Sequence, residues 1–471
     1  MIDRAEILAV ATDLGLSPEV VEKDYVIGWL LAGIYAQPAL AENWIFKGGT
    51  CLKKCYFETY RFSEDLDFTL HDGAQLTPEF LQGAFREVSD WIYEHTGIQI
   101  PTDRLRFDIY ASARGGASCQ GRIYYIGPLP HPGALPRIKL DLTADELLVL
   151  AAVDRQVGHP YTDLPEEGIS ARCYAYEEVF GEKVRALGER ARPRDLYDVV
   201  NLFRHGEFRP AAAAILDVLR RKCEFKRVPL PTVAALNERA QELAADWQHM
   251  LGHQLPALPP FESFWTVLPE FFVWLTGSMV APAAVPAIVP SISASADEEL
   301  FRPAVGMLRR QGIAGSSFIE AIRFAGTNRL CVDLGYQNSV RRIEPYALRR
   351  SRAGDILVRA VKSQTAEPRT YRLDSIQSVR VTDETFLPRY AIELGAGGGG
   401  AILPVSTGNP RSAYRAASSR PRISSGPIYI YQCPMCDKQF RHKKRNPHLG
   451  PHKSQYGWPC SGRNGYLIHT R

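Results

Sequence analysis

KGGTCLKKCYFETYRFSEDLDFTL, residues 47–70, is the stretch on which the fold turns. Its end alternates as Asp65-Leu66-Asp67-Phe68-Thr69-Leu70. In a strand, successive side chains take opposite faces, so Leu66, Phe68 and Leu70 are expected in a core while Asp65, Asp67 and Thr69 share the other face. Two carboxylates so placed can hold a divalent cation, and Mg²⁺ takes oxygen ligands while keeping positions for water and phosphate. Upstream, Lys47-Gly48-Gly49-Thr50 lies between an apolar run at 44–46 and a predicted helix from Cys51. Two glycines let backbone approach a triphosphate, and the N-terminus of the following helix favours anions. The loop alone is a weak signal. Followed 15 residues later by Asp-x-Asp it is specific, because both parts would serve one nucleotide. The plainer reading is a tight turn and a solvated acidic strand.

Working outward, Arg137-Ile138-Lys139-Leu140-Asp141-Leu142-Thr143 alternates in the same way. Asp141 is the expected third carboxylate, either joining Asp65 and Asp67 around a second metal or serving as base for an acceptor hydroxyl. An exposed Asp on an amphipathic strand is the ordinary alternative. Lys183 lies in EEVFGEKVRAL, 177–187, and its ammonium suits a triphosphate. In ARPRDLYDVVNLF, 191–203, Pro193 fits a first helical position. Leu196, Val199, Val200 and Phe203 form its buried stripe. Asp195 and Asp198 can face the site together, although an acid at Asp195 is also favoured by the helix dipole. Ser63 is expected at the mouth of the site, and Arg61 either touches phosphate or anchors the loop. Helices are predicted from Ser17-Pro18 to about Tyr35, from Thr77-Pro78 to about His95, and from Tyr176 through about Thr276. Further strands are predicted at 105–110 and 122–126.

FKGGTCL, RFSEDLDF, EKVRAL and RPRDLYDV, in that order and with EKDYVIGWLL at 22–31, resemble the AbiEii/AbiGii family of nucleotidyltransferase toxins, including the related MenT toxins. The resemblance covers about residues 1–276. It implies an α+β fold, with a polymerase-β-like core and a helical C-terminal half. It implies transfer of NMP from an NTP, Mg²⁺ dependence, a role in phage defence, and a separately encoded antitoxin. Some relatives modify the 3′ end of tRNA, which makes tRNA the expected acceptor. The family's glycine motif falls on Gly48, Gly49 and Thr50, its metal-binding carboxylates on Asp65 and Asp67, its Lys motif on Lys183, and its last Asp motif on Asp195 with Asp198. Lys47, Arg61 and Ser63 lie in the matched blocks as nucleotide-binding candidates. The reading from a different class is a nucleic-acid-binding regulator whose nucleotidyltransferase fold senses a ligand without turnover.

Residues 277–299 have a linker's composition, and Pro282, Pro286 and Pro290 exclude a regular membrane helix there. Residues 300–395 resemble a WYL domain, a small Sm-like β-barrel, through FIEAIRFAGTNRLCVDLGY, RRIEPYALRR, GDILVRAVK and RTYRLDSIQSVRV. The name-giving tripeptide is replaced by Asp355-Ile356-Leu357. The resemblance implies nucleic-acid or nucleotide binding, with Tyr336, Arg342, Arg359 and Arg372 as candidates, since Arg makes bidentate phosphate contacts and stacks on bases. Surface arginines on a small barrel are the alternative. GAGGGG at 395–400 opens a second linker, 396–427.

The end of the chain, 428–471, carries Cys433, Cys436, His448, His452 and Cys460. Cys-x2-Cys is the usual zinc knuckle. Pro447 and Gly450-Pro451 break any continuous helix across both histidines, so the expected Zn²⁺ ligands are Cys433, Cys436, His452 and Cys460, with His448 as the alternative. So short a unit lacks a large core, and a structural metal would supply its folding energy. Arg441, Lys443, Lys444, Arg445 and Arg463, with Phe440 and Trp458, combine charge with stacking groups and suit nucleic acid.

Composition sets the frame for these readings. A chain of 471 residues suggests roughly two to four domains. The formal net charge is +4, but residues 426–471 carry eight Lys and Arg against one acid, leaving −3 for the rest. Basic character is thus concentrated in the tail, as in polyanion-binding tails. Acids early in the N-terminus argue against a signal peptide. The cysteines outside the tail (Cys51, Cys55, Cys119, Cys173, Cys223, Cys331) lie singly, for which a reducing cytoplasm is the simplest reading.

Overall fold

A computed structural model describes the chain except residues 58–59, 112–113, 206–208, 278–290, 293–296, 303–314, 396–428, 437, 443–444, 451, 454–458, 461–462 and 471. The linker expected at 277–299 falls largely, and that at 396–427 wholly, outside the described residues, as do Lys443, Lys444 and Trp458.

Seven strands form the first sheet: β1 (Trp44–Lys47), β2 (Asp65–Leu70), β3 (Arg106–Ala111), β4 (Ala117–Tyr124), β5 (Arg137–Thr143), β6 (Val153–Gln156) and β7 (Ser170–Cys173). Their order is β3-β4-β5-β2-β1-β7-β6. Alternation makes the sheet two-faced. Leu66, Phe68, Ile138, Leu140 and Leu142 are all buried, and Phe68 packs its ring 5.3 Å from Trp44 and 5.4 Å from Phe46. Strand β4 begins earlier than its sequence suggests, because its pairing with β5 runs from Ser118 opposite Thr143 to Tyr124 opposite Arg137.

Helices Pro18–Ala36 and Pro78–Thr96 pack against each other. Gly33 permits the approach, since a Cβ there would lie 2.9 Å from Ile92 Cγ1. Pro18 and Pro78 sit at first helical positions, and Thr77 caps the second helix by accepting from Phe80 N. The acids of the EKDYV segment are structural. Glu22 is fully buried and accepts from Leu129 N and His131 Nε2, each at 2.7 Å. Asp24 pairs with buried Lys54 at 2.8 Å, tying this helix to the turn that follows the glycine loop. Buried charges need such partners.

The helical half holds Tyr176–Arg190, Pro193–Arg204, Ala212–Lys226, Ala240–Leu251 and Leu268–Thr276. Beyond it lie β8 (Glu298–Leu300), helix Ser316–Thr327, β9 (Leu330–Tyr336), β10 (Ser339–Ser351), β11 (Ile356–Lys362), β12 (Pro368–Arg372) and β13 (Ile376–Thr385). Among the described residues the strands do not close into the expected barrel. The strand order β12-β11-β10-β9-β13 leaves β12 and β13 at opposite edges, with β8 added on β10. Pro368, which has no N–H, and exposed Arg369 mark β12 as an edge strand. Helix Ser316–Thr327 packs on β9, β10 and β13. Its C-cap Asn328 accepts at 2.9 Å from the hydroxyl of buried Tyr197, in helix Pro193–Arg204. Residues Met1–Val405 accordingly form one compact unit.

The second unit, Ser406–Arg471, holds a sheet of order β15-β14-β18 (Gln439–His442, Tyr429–Gln432, Tyr466–Thr470) and the pair β16 (His452–Lys453) and β17 (Pro459–Cys460). Among the described residues no helix is long and apolar enough to cross a membrane.

Candidate active site and tail metal centre

Strand register assembles the first site. Lys47 of β1 stands opposite Asp67 of β2, Asp67 opposite Asp141 of β5, Asp141 opposite Gln120 of β4, and Gln120 opposite Asp108 of β3. One row of polar groups therefore crosses five strands on a single face. The adjoining row runs Asp65, Lys139, Arg122, Arg106. Parallel pairing of β2 with β5 brings Asp141 level with Asp67, so the three aspartates occupy neighbouring places on the same face.

The glycine loop lies directly on this row. Gly48 has φ +82°, and a Cβ there would fall 2.2 Å from Asp67 Oδ2. Only glycine fits without displacing the carboxylate. At Gly49 a Cβ would meet Arg61 Nη2 at 2.7 Å and Ser63 Oγ at 3.2 Å, which places both side chains against the loop. The Thr50 hydroxyl donates to the carbonyl of Asp65 and joins loop to strand. After Cys51 the helix widens into a π-helical turn, Leu52–Tyr56.

Crowded carboxylates hold protons more tightly. Burial, then the charge of Asp141, pushes Asp67 up to about 6, against the pull of Lys47. Burial raises Asp65 as well, opposed by Lys139. The three carboxylates do not converge within 4.8 Å of one another. Lys139 Nζ instead sits 2.6 Å from Asp141 Oδ2 and acts on Asp65. Lys139 shares Asp141's strand face, so the alternation that marked Asp141 marks it too. Lys47 lies 3.3 Å from Glu146 and 3.8 Å from Glu182, and Lys222 lies 2.7 Å from Glu178 and 3.2 Å from Glu182. Burial works against the charge on Lys47, but its carboxylate neighbours, Glu182 foremost, hold it firmly protonated.

The helical candidates are held differently. Asp198 is fully buried. It accepts from Arg61 Nε at 2.7 Å and Nη2 at 2.8 Å, from Tyr60 Oη at 2.9 Å, and pairs with Lys183 Nζ at 2.7 Å. Despite burial, Arg61 and Lys183 hold its carboxyl far below the ordinary range. Asp198 thus bears on the site through the two cations it fixes. Asp195 is also buried and takes a bidentate pair from Arg190 at 2.7 and 2.8 Å. Arg61 anchors its loop onto helix Pro193–Arg204 and also faces Gly49.

The family model described as nucleotidyl transferase AbiEii toxin, type IV toxin–antitoxin system, matches residues 29–270, more than half the chain, and contains all of these residues. The chain belongs to the AbiEii nucleotidyl transferase toxin family. Solved structures that show likeness include the following two. MenT4, a nucleotidyltransferase toxin from Mycobacterium tuberculosis, is 17% identical with a TM-score of 0.38, covering 59% of this chain and 91% of that one. A candidate nucleotidyltransferase from H. pylori is 17% identical with a TM-score of 0.36, covering 56% and 97%. Comparison with curated proteins finds no match. The family makes an NTP the class of donor and an antitoxin the class of partner.

In this AbiEii-family chain the candidates on the second sheet already have partners. Arg342 makes a bidentate pair with Asp333 and reaches Glu384, Arg359 pairs with Glu298, and Arg372 pairs with Asp374 and Asp355. Tyr336 meets Tyr371 edge-on at 5.2 Å. A phosphate approaching these arginines competes with the carboxylates that already pair with them.

In the tail, Cys433, Cys436, His452 and Cys460 bring one ligand atom each within 4.8 Å of the others. His448 instead pairs with Asn464 and lies outside the group. Bridging of β16 to β17 sets His452 opposite Cys460. His452 Nδ1 bonds Gly450 O at 2.9 Å, leaving Nε2 buried without a hydrogen-bond partner. That orientation suits an imidazole ligand, whose second nitrogen is usually held by a carbonyl. Arg445 is exposed. Arg463 Nη1 donates to Cys460 O at 2.7 Å.

Proposed function

We propose that the chain is a Mg²⁺-dependent toxin of phage defence, transferring NMP from an NTP to the 3′ hydroxyl of a tRNA. The observation that carries this reading is the register placing Asp67 beside Asp141, with Asp65 two residues away and Gly48 pressed against Asp67. The three carboxylates do not converge as they stand, but they are near enough on one face to raise one of them to about 6, and a divalent cation drawing them together would relieve that repulsion. Asp65 and Asp67, with Asp141, would hold the Mg²⁺, which would supply neutralisation of the charge that develops in phosphoryl transfer.

The chain's own residues divide the remaining work. The Gly48–Gly49 backbone receives the triphosphate, and Lys183, fixed by Asp198, offers its ammonium to it. Arg61 braces the loop beneath Gly49. Asp141 accepts the proton of the acceptor hydroxyl as that oxygen attacks the α-phosphorus and pyrophosphate departs. The tail group holds a structural Zn²⁺ in this reading, and its basic residues, Arg441, Lys443, Lys444 and Arg445, recruit RNA.

The test is incubation of the full chain with each α-labelled NTP, Mg²⁺ and total RNA. Label on the 3′ end of tRNA is expected. Label on a small molecule or protein would replace the acceptor. No product with any NTP would favour the sensing regulator.

A further inference from the structure

Three of the six cysteines outside the tail meet in the fold. The sulfurs of Cys51, Cys55 and Cys173 lie within 4.8 Å of one another, and all three residues are buried. Cys51 and Cys55 are four residues apart on one helical turn and so share a face. Cys173 ends β7 and stands opposite Phe46 of β1, one residue before Lys47. The cluster therefore lies beneath the glycine loop, outside the carboxylate row.

We propose that Cys51, Cys55 and Cys173 form a binding site for a thiophilic closed-shell (d¹⁰) cation, independent of the proposed transfer site and of the tail. Metal–sulfur bonds of about 2.3 Å set three sulfurs roughly 4 Å apart in a trigonal plane, a spacing compatible with this cluster. All-sulfur donors select soft ions over Mg²⁺. Three thiolates around a divalent ion carry one net negative charge. A compensating cation is in place: the Arg155 guanidinium stacks 4.8 Å from the Tyr56 ring, and its Nε donates to Cys55 O at 3.3 Å. Binding breaks three S–H bonds, forms three sulfur–metal bonds and releases three protons, with no change of oxidation state. Buried thiols serving only as small apolar packing is the competing account. An ion here ties the helix carrying Gly48 and Gly49 to β7, so the first unit should melt higher with it bound.

Cd²⁺ is the probe, titrated into the reduced full chain and followed by sulfur-to-metal charge-transfer absorbance, which carboxylate sites do not give. Two equivalents per chain are expected, one here and one in the tail. Cys436→Ser should retain one equivalent and a Cd²⁺-dependent rise in melting temperature. Cys436→Ser combined with Cys173→Ala or with Cys55→Ala should bind none while keeping the circular dichroism of the single variant. The proposal is overturned if Cys436→Ser alone, with the thiol cluster intact, gives no charge-transfer signal. That outcome depends on no variant of the buried core, and it leaves the catalytic reading untouched.

Discussion

Burial and the neighbouring Asp141 hold Asp67 at about 6 rather than the usual 3.8, so at neutral pH its charge costs the folded chain stability. The sign follows from linkage. The folded state keeps its proton longer than the unfolded one, so the cost is absent below about pH 4, grows to about pH 6 and is complete above. Asp67→Asn removes it. In EDTA at pH 7.5 this variant should be more stable by roughly 1–2 kcal/mol, allowing for solvent screening. Scanning calorimetry should show the gain vanishing toward pH 4; an unchanged or lower melting temperature at pH 7.5 would contradict the crowding. Asp198 has the opposite sign. Its carboxyl is depressed by Arg61 and Lys183, so its contribution is present above the ordinary range and lost as pH falls through the depressed value. Asp198→Ala strands two buried cations and should cost ~3–5 kcal/mol in urea unfolding. Asp195→Ala, whose partner Arg190 is half-exposed, should cost about 1 kcal/mol. Equal losses would mean that Asp198 is not the central anchor.

Strands β2 and β5 and the glycine loop were legible because each signal is local. Period-two alternation fixes which face Asp65, Asp67 and Asp141 take, and paired glycines announce a turn. Lys47 opposite Asp67, and Lys139 beside Asp65, depend on register across strands far apart in sequence, which no local pattern carries. Asp195 and Asp198 were placed correctly on their helix, but their ion pairs with Arg190 and Arg61 were not readable. The thiol cluster was missed because Cys173 is over a hundred residues from Cys51. A β-rich second region was expected from the sequence, yet closure into a barrel is a matter of edge pairing, and Pro368 on β12 was the available warning. For the loop, Gly48→Ala should weaken NTP binding at least tenfold, since φ +82° strains alanine by about 1–3 kcal/mol and its Cβ meets Asp67. Calorimetric binding without turnover measures this; an unaltered affinity would remove the loop from the nucleotide site.

Across the chain, the second sheet is joined to the helical half within the first unit, where Asn328 accepts from Tyr197, whereas Ser406–Arg471 is a unit of its own. Among the described residues its core is confined to Tyr431, Cys433, Leu449 and Cys460 with a few partly buried neighbours, and the proposed Zn²⁺ would supply the folding energy that so small a core lacks. Chelation should unfold this tail and leave Met1–Val405 intact by proteolysis. His452→Ala should lose the Zn²⁺ while His448→Ala keeps it, measured as metal content; the reverse would move the fourth ligand to His448.

The claim that the carboxylate row seats the chemistry is tested most directly by NMP transfer from α-labelled NTP to tRNA, with Mg²⁺ or with EDTA, for the wild type and Asp67→Asn side by side. Transfer should require Mg²⁺ and fall by roughly a thousandfold or more in the variant, about 4 kcal/mol of barrier, while its melting temperature holds or rises. Transfer within tenfold of the wild type in that folded variant would show that the reaction is seated elsewhere.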